Sequence, residues 1–417
     1  MAVSFNRPGV VVESFLSPAD SVFRTGVAGF VGAAVAGVPP VTAALPLTAL
    51  FTSWLDFADA FRDGQTWRRG TWRPDPVLWT SVRGFFLNGG TRCYVVLYDP
   101  AAADGPTGAL DLAVAALAEF DDVDLVCAPS LLGPYLHALR APGPASALLP
   151  ALLQQATQLQ QQLIRSCESR RDDWFVILDA PPPLAAGAPA DLGAAVAALR
   201  AAPSDRPRNA AVYYPPVVPG GDIEPPPGGA PTAVPPSGHV AGIFARSDEQ
   251  RGVHKSPANE VIEGIVDVIA EFDDVAGINP IRALPGRGIR VWGARTLAAP
   301  SSPGDTRAFL AVQRLVLTLQ RWLVRSLDWT VFEANDFRTW VRIHRELTRR
   351  LGGLFEQGAL AGTTPDEAFY VKCDDENNPP DKRTDGKLQV DVGIAPAVPN
   401  EFIKIRLVRS AEGLTVT

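Results

Sequence analysis

The chain has 417 residues, too many for one small core, so two or three domains are expected. With 47% hydrophobic and 20% charged residues it has the composition of a folded globular protein, and a formal net charge of -7 excludes wholesale coating of nucleic acid, which needs a basic field. Its 39 prolines and 36 glycines imply many loops and at least one extended connector, while Cys93, Cys127, Cys167 and Cys373 lie too far apart for a zinc knuckle or a redox pair and read as buried, reduced thiols.

The opening "MAVSFNRPGVVVESF" has no apolar core of signal-peptide length, and the apolar stretch Val27–Val41 is broken by glycines and by Pro39–Pro40 well short of a membrane span. A soluble protein made in the cytoplasm, without membrane insertion, is therefore expected. Val10, Val12 and Phe15 alternate as in an extended strand, and Val27–Val35 is small and apolar like a buried strand. Asp75–Leu87 reads as a helix stopped at Asn88–Gly89–Gly90, and the strand "RCYVVLYD" follows at once. Leu110–Phe120 reads as a helix, "VDLVCAP" as a strand and Ala147–Arg170 as a long helix. "WFVILDAPP" then reads as a strand covered on both sides, Asp191–Ala201 as a helix and "NAAVYYPPVV" as a closing strand. This alternation predicts a small parallel or mixed sheet over about residues 100–217.

Val218–His239 is the Pro/Gly-rich stretch and reads as a surface loop. "SPANEVIEGIVDVIAEF" opens with a helix-start signature, "GIRVWGARTL" reads as a strand, and Thr306–Arg325 and Phe337–Leu354 as long helices, the second bounded by Gly352–Gly353. "EAFYVKCD" and "EFIKIRLVRS" are strand candidates separated by the polar, turn-rich "DDENNPPDKRTDGK".

Chemical motifs are sparse. In "GINPIRALPGRGIRVWGARTL" the glycines are followed by a strand, not by a helix opening with Lys and Ser/Thr, so they serve a tight turn and not a phosphate. Arg282, Arg287, Arg290 and Arg295 then read as an interfacial cluster able to reach carboxylates on a neighbour. The histidines His137, His239, His254 and His344 share no metal-binding spacing, and "HREL" lacks the second histidine of the helical zinc motif. No G-x-S-x-G elbow occurs, and the acidic groups Asp121–Asp122–Asp124, Asp273–Asp274 and Asp374–Asp375–Glu376 read as solvated turns. "RDGQTWRRGTWRPD" places arginines beside Trp67 and Trp72, but it is short and flanked by acids, and a partner-contacting loop explains it equally well. No cofactor or metal is expected. What remains is a strand candidate near each end, Gly9–Leu16 and Glu401–Ser410, whose backbone groups must find a sheet in this chain or in a neighbour.

In order along the chain, "RPGVVVESF", "TGVAGFVGAAVAG", "SVRGFFLNGGTRCYVVLY" and "CESRRDDWFVILDAPP" resemble segments of the tail sheath family of contractile phages and related contractile injection systems. "SPANE", "GINPIRALPGRGIRVWGARTLA", "WTVFEANDFRTW", "GALAGTTPDEAFYVKCD" and "VDVGIAPAVPNEFIKIRLV" follow in the family's order and at close to its spacing. Gln313–Arg314 stands at the family's paired basic position, Ala334–Asn335–Asp336 replaces its usual Pro-Asn-Asp, and Val41–Trp72 diverges, the marks of a specialised or accessory isoform.

The resemblance implies a mixed α/β fold in which a C-terminal sheath domain is assembled from both ends of the chain around a central α/β domain, with extended strand arms. The expected divisions are an arm at 1–20, an inner part at 21–98, an outward-facing domain at 99–240 carrying the 218–239 loop, a C-terminal domain at 241–400 and an arm at 401–417. Val10, Val11, Val12 and Glu13, with Phe402, Ile403, Lys404, Ile405, Arg406 and Leu407, would be the inter-subunit strands, and the four arginines would touch subunits or tube. The implied function is structural and not enzymatic. Copies assembled in the cytoplasm would stack as six-fold rings around an inner tube, with baseplate and cap proteins, and contract to drive the tube through an envelope. A tube or baseplate component, or a cytosolic α/β enzyme using the central domain, are the competing readings.

Overall fold

The computed structural model describes residues 24–36, 45–61, 72–140, 147–182, 189–201, 207–220, 231, 233–270, 277–298, 305–384, 388–398, 407–410 and 413–416. The first part of the chain runs β1 (Ala28–Ala36), β2 (Leu47–Phe51), α1 (Trp54–Phe61), β3 (Trp72–Pro74), α2 (Pro76–Leu87), β4 (Cys93–Tyr98) and α3 (Gly105–Leu117). Then come β5 (Leu125–Cys127), α4 (Gly133–Arg140), α5 (Leu149–Arg170), β6 (Phe175–Asp179), α6 (Pro189–Arg200), β7 (Ala210–Tyr214), β8 (Val217–Pro219) and α7 (Ser237–Arg251). The rest is β9 (Glu260–Val261), β10 (Ile265–Val268), β11 (Ile278–Leu284), β12 (Gly288–Val291), α8 (Leu310–Ser326), α9 (Phe337–Glu356), α10 (Pro365–Ala368), β13 (Phe369–Lys372), α11 (Pro380–Thr384), β14 (Asp391–Ile394), β15 (Leu407–Ser410) and β16 (Gly413–Val416).

Among the described residues one ten-stranded sheet dominates, in the order β2-β4-β1-β5-β6-β7-β11-β12-β9 with β3 added to β1. From β4 to β11 all neighbours are parallel, and β2, β3, β12 and β9 join antiparallel. The sheet is therefore larger than the one expected over residues 100–217, and it runs across both expected divisions, at 98/99 and at 240/241. Every residue of β4, β5, β6 and β7 is buried, because helices cover both faces of a parallel sheet. On one face Phe30, Phe85, Phe175, Tyr213 and Phe244 pack with α2 and α7; on the other Val31, Leu117, Leu163 and Trp174 pack with α3 and α5.

The expected stop after α2 is present: Asn88 caps it, and Gly89 at φ 100 turns the chain so that the Gly90 N–H donates to the Phe85 carbonyl at 2.9 Å. Three expectations are corrected. The signature "SPANE" opens no helix, because Asn259, at φ 62, donates its N–H to the Val291 carbonyl at 2.7 Å and leads β9 onto β12 as an edge strand. The C-terminal end of the Pro/Gly-rich loop belongs to α7, which is buried all along Ser237–Ala245 and so shows no amphipathic period. Gly352 and Gly353 lie inside α9; the helix ends at Glu356, and Gly358, at φ 74, turns the chain away.

Beyond the sheet, α9, β13 and β14 form a C-terminal lobe with α8, whose Leu310 and Leu317 pack in the sheet core and whose Leu315 and Leu319 pack against α9. Trp340, Ile343, Leu347 and Leu351 recur at helical spacing on α9 and face Val371 and Val392 of the two-stranded sheet β13–β14. Among the described residues no helix is long and apolar enough to cross a membrane.

Candidate assembly interface

Of the ten arm residues singled out in the sequence, Val10–Glu13 and Phe402–Arg406 lie outside the described residues. Leu407 opens β15 and is paired with Val416 of β16, in a hairpin within this chain that joins no third strand among the described residues. Residues 413–416 carried no strand signal in the sequence analysis.

The sheet β13–β14 is built from four antiparallel pairs, Phe369 with Ile394 through Lys372 with Asp391. Its inner face rests on α9. Its outer face carries Tyr370, 60% exposed, whose ring lies over Gly393 so closely that a Cβ there would sit 2.1 Å from it. Neither outer edge pairs with a further strand among the described residues. Beside it, Asn378 straps the "DDENN" turn to the sheet, accepting from Gln389 N–H at 2.7 Å and donating to the Gln389 carbonyl at 2.9 Å.

The exposed face of α9 is basic: Arg338, Arg342, Arg345, Arg349 and Arg350, with His344, surround a single half-buried acid, Glu346. Its start is fixed by Asp336, whose Oδ1 accepts from the N–H groups of Arg338 at 3.0 Å and Thr339 at 3.1 Å. Just before it, Phe332 is fully exposed at φ 70, with Val331 and Phe337 also exposed. In the sequence "HREL" reads only against a zinc motif, and nothing there shows that these arginines share the exposed face of α9.

The arginine hairpin has the predicted geometry. β11 and β12 are joined by a tight turn at Pro285–Arg287, with Gly286 at φ 71 and Gly288 at φ 76, which side chains with a Cβ rarely adopt. Its arginines are largely engaged within the chain. Arg290 donates to the Asn259 carbonyl at 2.6 Å and the Arg287 carbonyl at 2.8 Å, and Arg287 donates to Asn259 Oδ1 at 3.0 Å. Arg295 stacks on Phe309, 4.0 Å from the ring centre. Arg282 stands directly opposite Arg290 and is half-buried, and of the four only Arg287 is exposed. The residue that fixes this segment is one that motif reasoning passed over: Asn279 accepts from Arg295 N–H at 2.6 Å and donates to the Arg295 carbonyl at 2.8 Å and the Val212 carbonyl at 3.1 Å.

A second unforeseen feature is a dry ion cluster. Arg314 donates to both oxygens of Asp248, at 2.8 and 2.6 Å, and to Asp124 at 3.2 Å. The three side chains are 3%, 1% and 5% exposed. Burial raises the Asp248 carboxyl above its ordinary value despite Arg314; for Arg314 burial acts downward, but the two acids hold its pKa up. At the other end of α7, burial drives Asp179 up to about 7, against the Ser237 N–H that donates to it at 2.9 Å, and drives His239 down to about 4.

A cavity of about 530 Å³ opens at the carboxyl ends of β1, β4 and β5, lined mainly by apolar groups with Asp75, Ser130 and His137. No lysine or arginine lines it, so it offers no charge to a phosphate. Among the described residues no group of three or more His, Cys, Asp or Glu could hold a metal.

A family model described as "Phage tail sheath protein central domain" matches residues 137–297. The tail sheath protein of Vibrio phage KVP40 is 26% identical over 188 residues, 43% of this chain, and the chain spans only 27% of that relative. Two solved assemblies contain chains of the same fold. One is the contracted helical sheath of the anti-feeding prophage, the other its six-fold symmetrised baseplate. Each is similar at 26% identity and a TM-score of 0.66, over 98% of this chain and 100% of the other.

Proposed function

The chain belongs to the tail sheath protein family, and from that premise we propose that it is the repeating subunit of a contractile sheath. The observation that carries this reading is the likeness, over 98% of the chain, to a subunit of a contracted helical sheath. The coarser statement, a structural protein of a contractile, phage-tail-like particle, is common ground with both solved relatives.

In the finer reading, copies stack as six-fold rings around an inner tube and shorten on triggering. A two-stranded sheet is marginal alone, and β13–β14 offers two open edges, so strands from the arms of neighbouring copies, residues 9–16 and 401–410, complete it. Because each copy both donates and accepts, the association is head-to-tail and grows into a helix. Contraction then rotates rigid bodies while the strand links hold. The basic face of α9, unusual on a chain of net charge -7, suits an acidic partner such as the tube wall, and Arg287 supplements it. Baseplate and cap proteins close the two ends, assembly is cytoplasmic, and the subunit has no catalytic part. On the same reading 1–20 and 401–417 are the arms, while 21–98, 99–240 and 241–400 are stretches of chain that share the one large sheet.

Negative-stain imaging of the purified full chain tests this. Hollow cylinders with cogwheel sections are expected, and deletion of residues 401–417 should leave soluble, unassembled protein. Discrete rings alone would favour a baseplate component, and small monodisperse particles at every concentration would overturn the assignment.

A further inference from the structure

We propose that Arg314 is a positioning residue that locks the root of the N-terminal arm to the C-terminal lobe, so that both ends of a subunit move as one body. The inference rests on the sheath reading given above for its consequence, but not for its geometry.

Among the described residues the first to be registered in the sheet is Ala28, opposite Cys93 on one side and Leu125 on the other, and the Val27 carbonyl before it accepts from the Leu125 N–H at 3.2 Å. A pull on the arm would therefore begin by peeling the residues just before it. Those residues are caught by one carboxylate: Gly26 N–H donates to Asp124 Oδ2 at 3.0 Å and Val27 N–H to Asp124 Oδ1 at 2.6 Å. Asp124 N–H donates back to the Val27 carbonyl at 3.1 Å. The root also lies tight against α7, since a Cβ on Gly26, at φ 76, would stand 2.5 Å from Ala245 Cα. Thr25 adds a side-chain hydrogen bond to Asp248 on the same helix.

Both acids converge on a single guanidinium that comes from α8, the first helix of the lobe. Arg314 is further clamped over the Phe244 ring, 4.9 Å from its centre. The planar fork matters here. A lysine could neutralise one acid but could not hold Asp248 with two parallel bonds while reaching Asp124. Water is excluded from all three groups, so breaking the cluster strands a buried charge, and the cluster opens as a unit or not at all. The path from arm root to α8 thus runs through side chains that span 190 positions of sequence and bypasses the six parallel strands between them.

Amide hydrogen exchange on the unassembled full chain decides the matter. In Arg314→Gln, exchange at Gly26 and Val27 should rise by about tenfold or more, while the amides of Val176 and Ile177 in β6 stay within about twofold. Coupling must be reciprocal, so Asp124→Asn, made on the arm side, should raise exchange at Leu315 and Leu317 in α8. Asp248→Asn, a smaller change, keeps the test open should Arg314→Gln fail to fold, and should also release Gly26 and Val27. Unchanged exchange at the root, or a rise shared equally by β6, would overturn the proposal and leave Arg314 as an ordinary core group. Assembly is scored separately. A wild-type chain that forms no cylinders would count against the sheath reading, and the clamp would still be judged by exchange alone.

Discussion

The sheet body and the C-terminal lobe are built to opposite standards. In the body, β4 to β7 expose nothing, and helices approach so closely that Gly84, Gly238 and Gly242 have no room for a side chain. In the lobe, β13 and β14 contain no fully buried residue, and Phe332, Phe337, Val341 and Tyr370 stand in solvent. The body is finished by its own sequence. The lobe has the surface of an incomplete core, as an element does when other copies supply the rest.

The contrast can be broken most severely in the body. A Cβ on Gly242 would meet the Phe85 carbonyl at 2.3 Å, so Gly242→Leu must separate α2 from α7. We expect no soluble folded protein, read by yield and by circular dichroism. Asp179 comes next. Its carboxyl is raised to about 7 in the folded chain, against about 4 when unfolded, so its contribution to stability is whole below about pH 4 and is lost as pH rises through about 7. Asp179→Asn should therefore match wild type near pH 4 and exceed it at pH 8 by as much as about 4 kcal/mol in urea unfolding. His239 slopes the other way: held neutral, with its pKa near 4, its contribution is present above about 6.5 and fades as pH falls through about 4, so the variant must be compared with wild type at each pH.

In the lobe the same measurements should barely move. Tyr370→Ala removes an exposed ring from an open sheet, and should cost the isolated chain less than about 1 kcal/mol while reducing cylinder formation seen by imaging. The smallest effect is expected at Phe332, where a side chain is held at φ 70. Phe332→Gly relieves that conformation and should raise the urea midpoint by up to about 1 kcal/mol equivalent, again with assembly impaired. A large loss of monomer stability from either substitution would erase the distinction between the two regions.

What the sequence disclosed follows the same division. The body was legible where polarity and period were strong: Asp75 as a cap, Asn88–Gly89–Gly90 as a stop, and "CYVVLY" and "WFVILD" as covered strands. The Gly286–Gly288 turn was legible because only a tight turn explains that spacing before a strand. α7 was not, since a helix buried all round has no polar face to mark its period. The strands after "SPANE" were hidden because Asn259 bends into a conformation that only pairing with β12 explains. At the candidate interface the open edges and the Arg314 cluster were invisible, because both depend on which distant residues meet. Arg314 stood out only as part of the family's paired basic position, and Asp124 read as a member of a solvated acidic turn.

The distance along the chain between those two groups also sets an order of events during synthesis. A ribosome adding roughly 5–20 residues per second leaves Asp124 without its cation for some 10–40 s, until residue 314 emerges. Through that interval Gly26 and Val27 can be bound only by a carboxylate that still lacks Arg314, so the clamp proposed above is the last of these contacts to close.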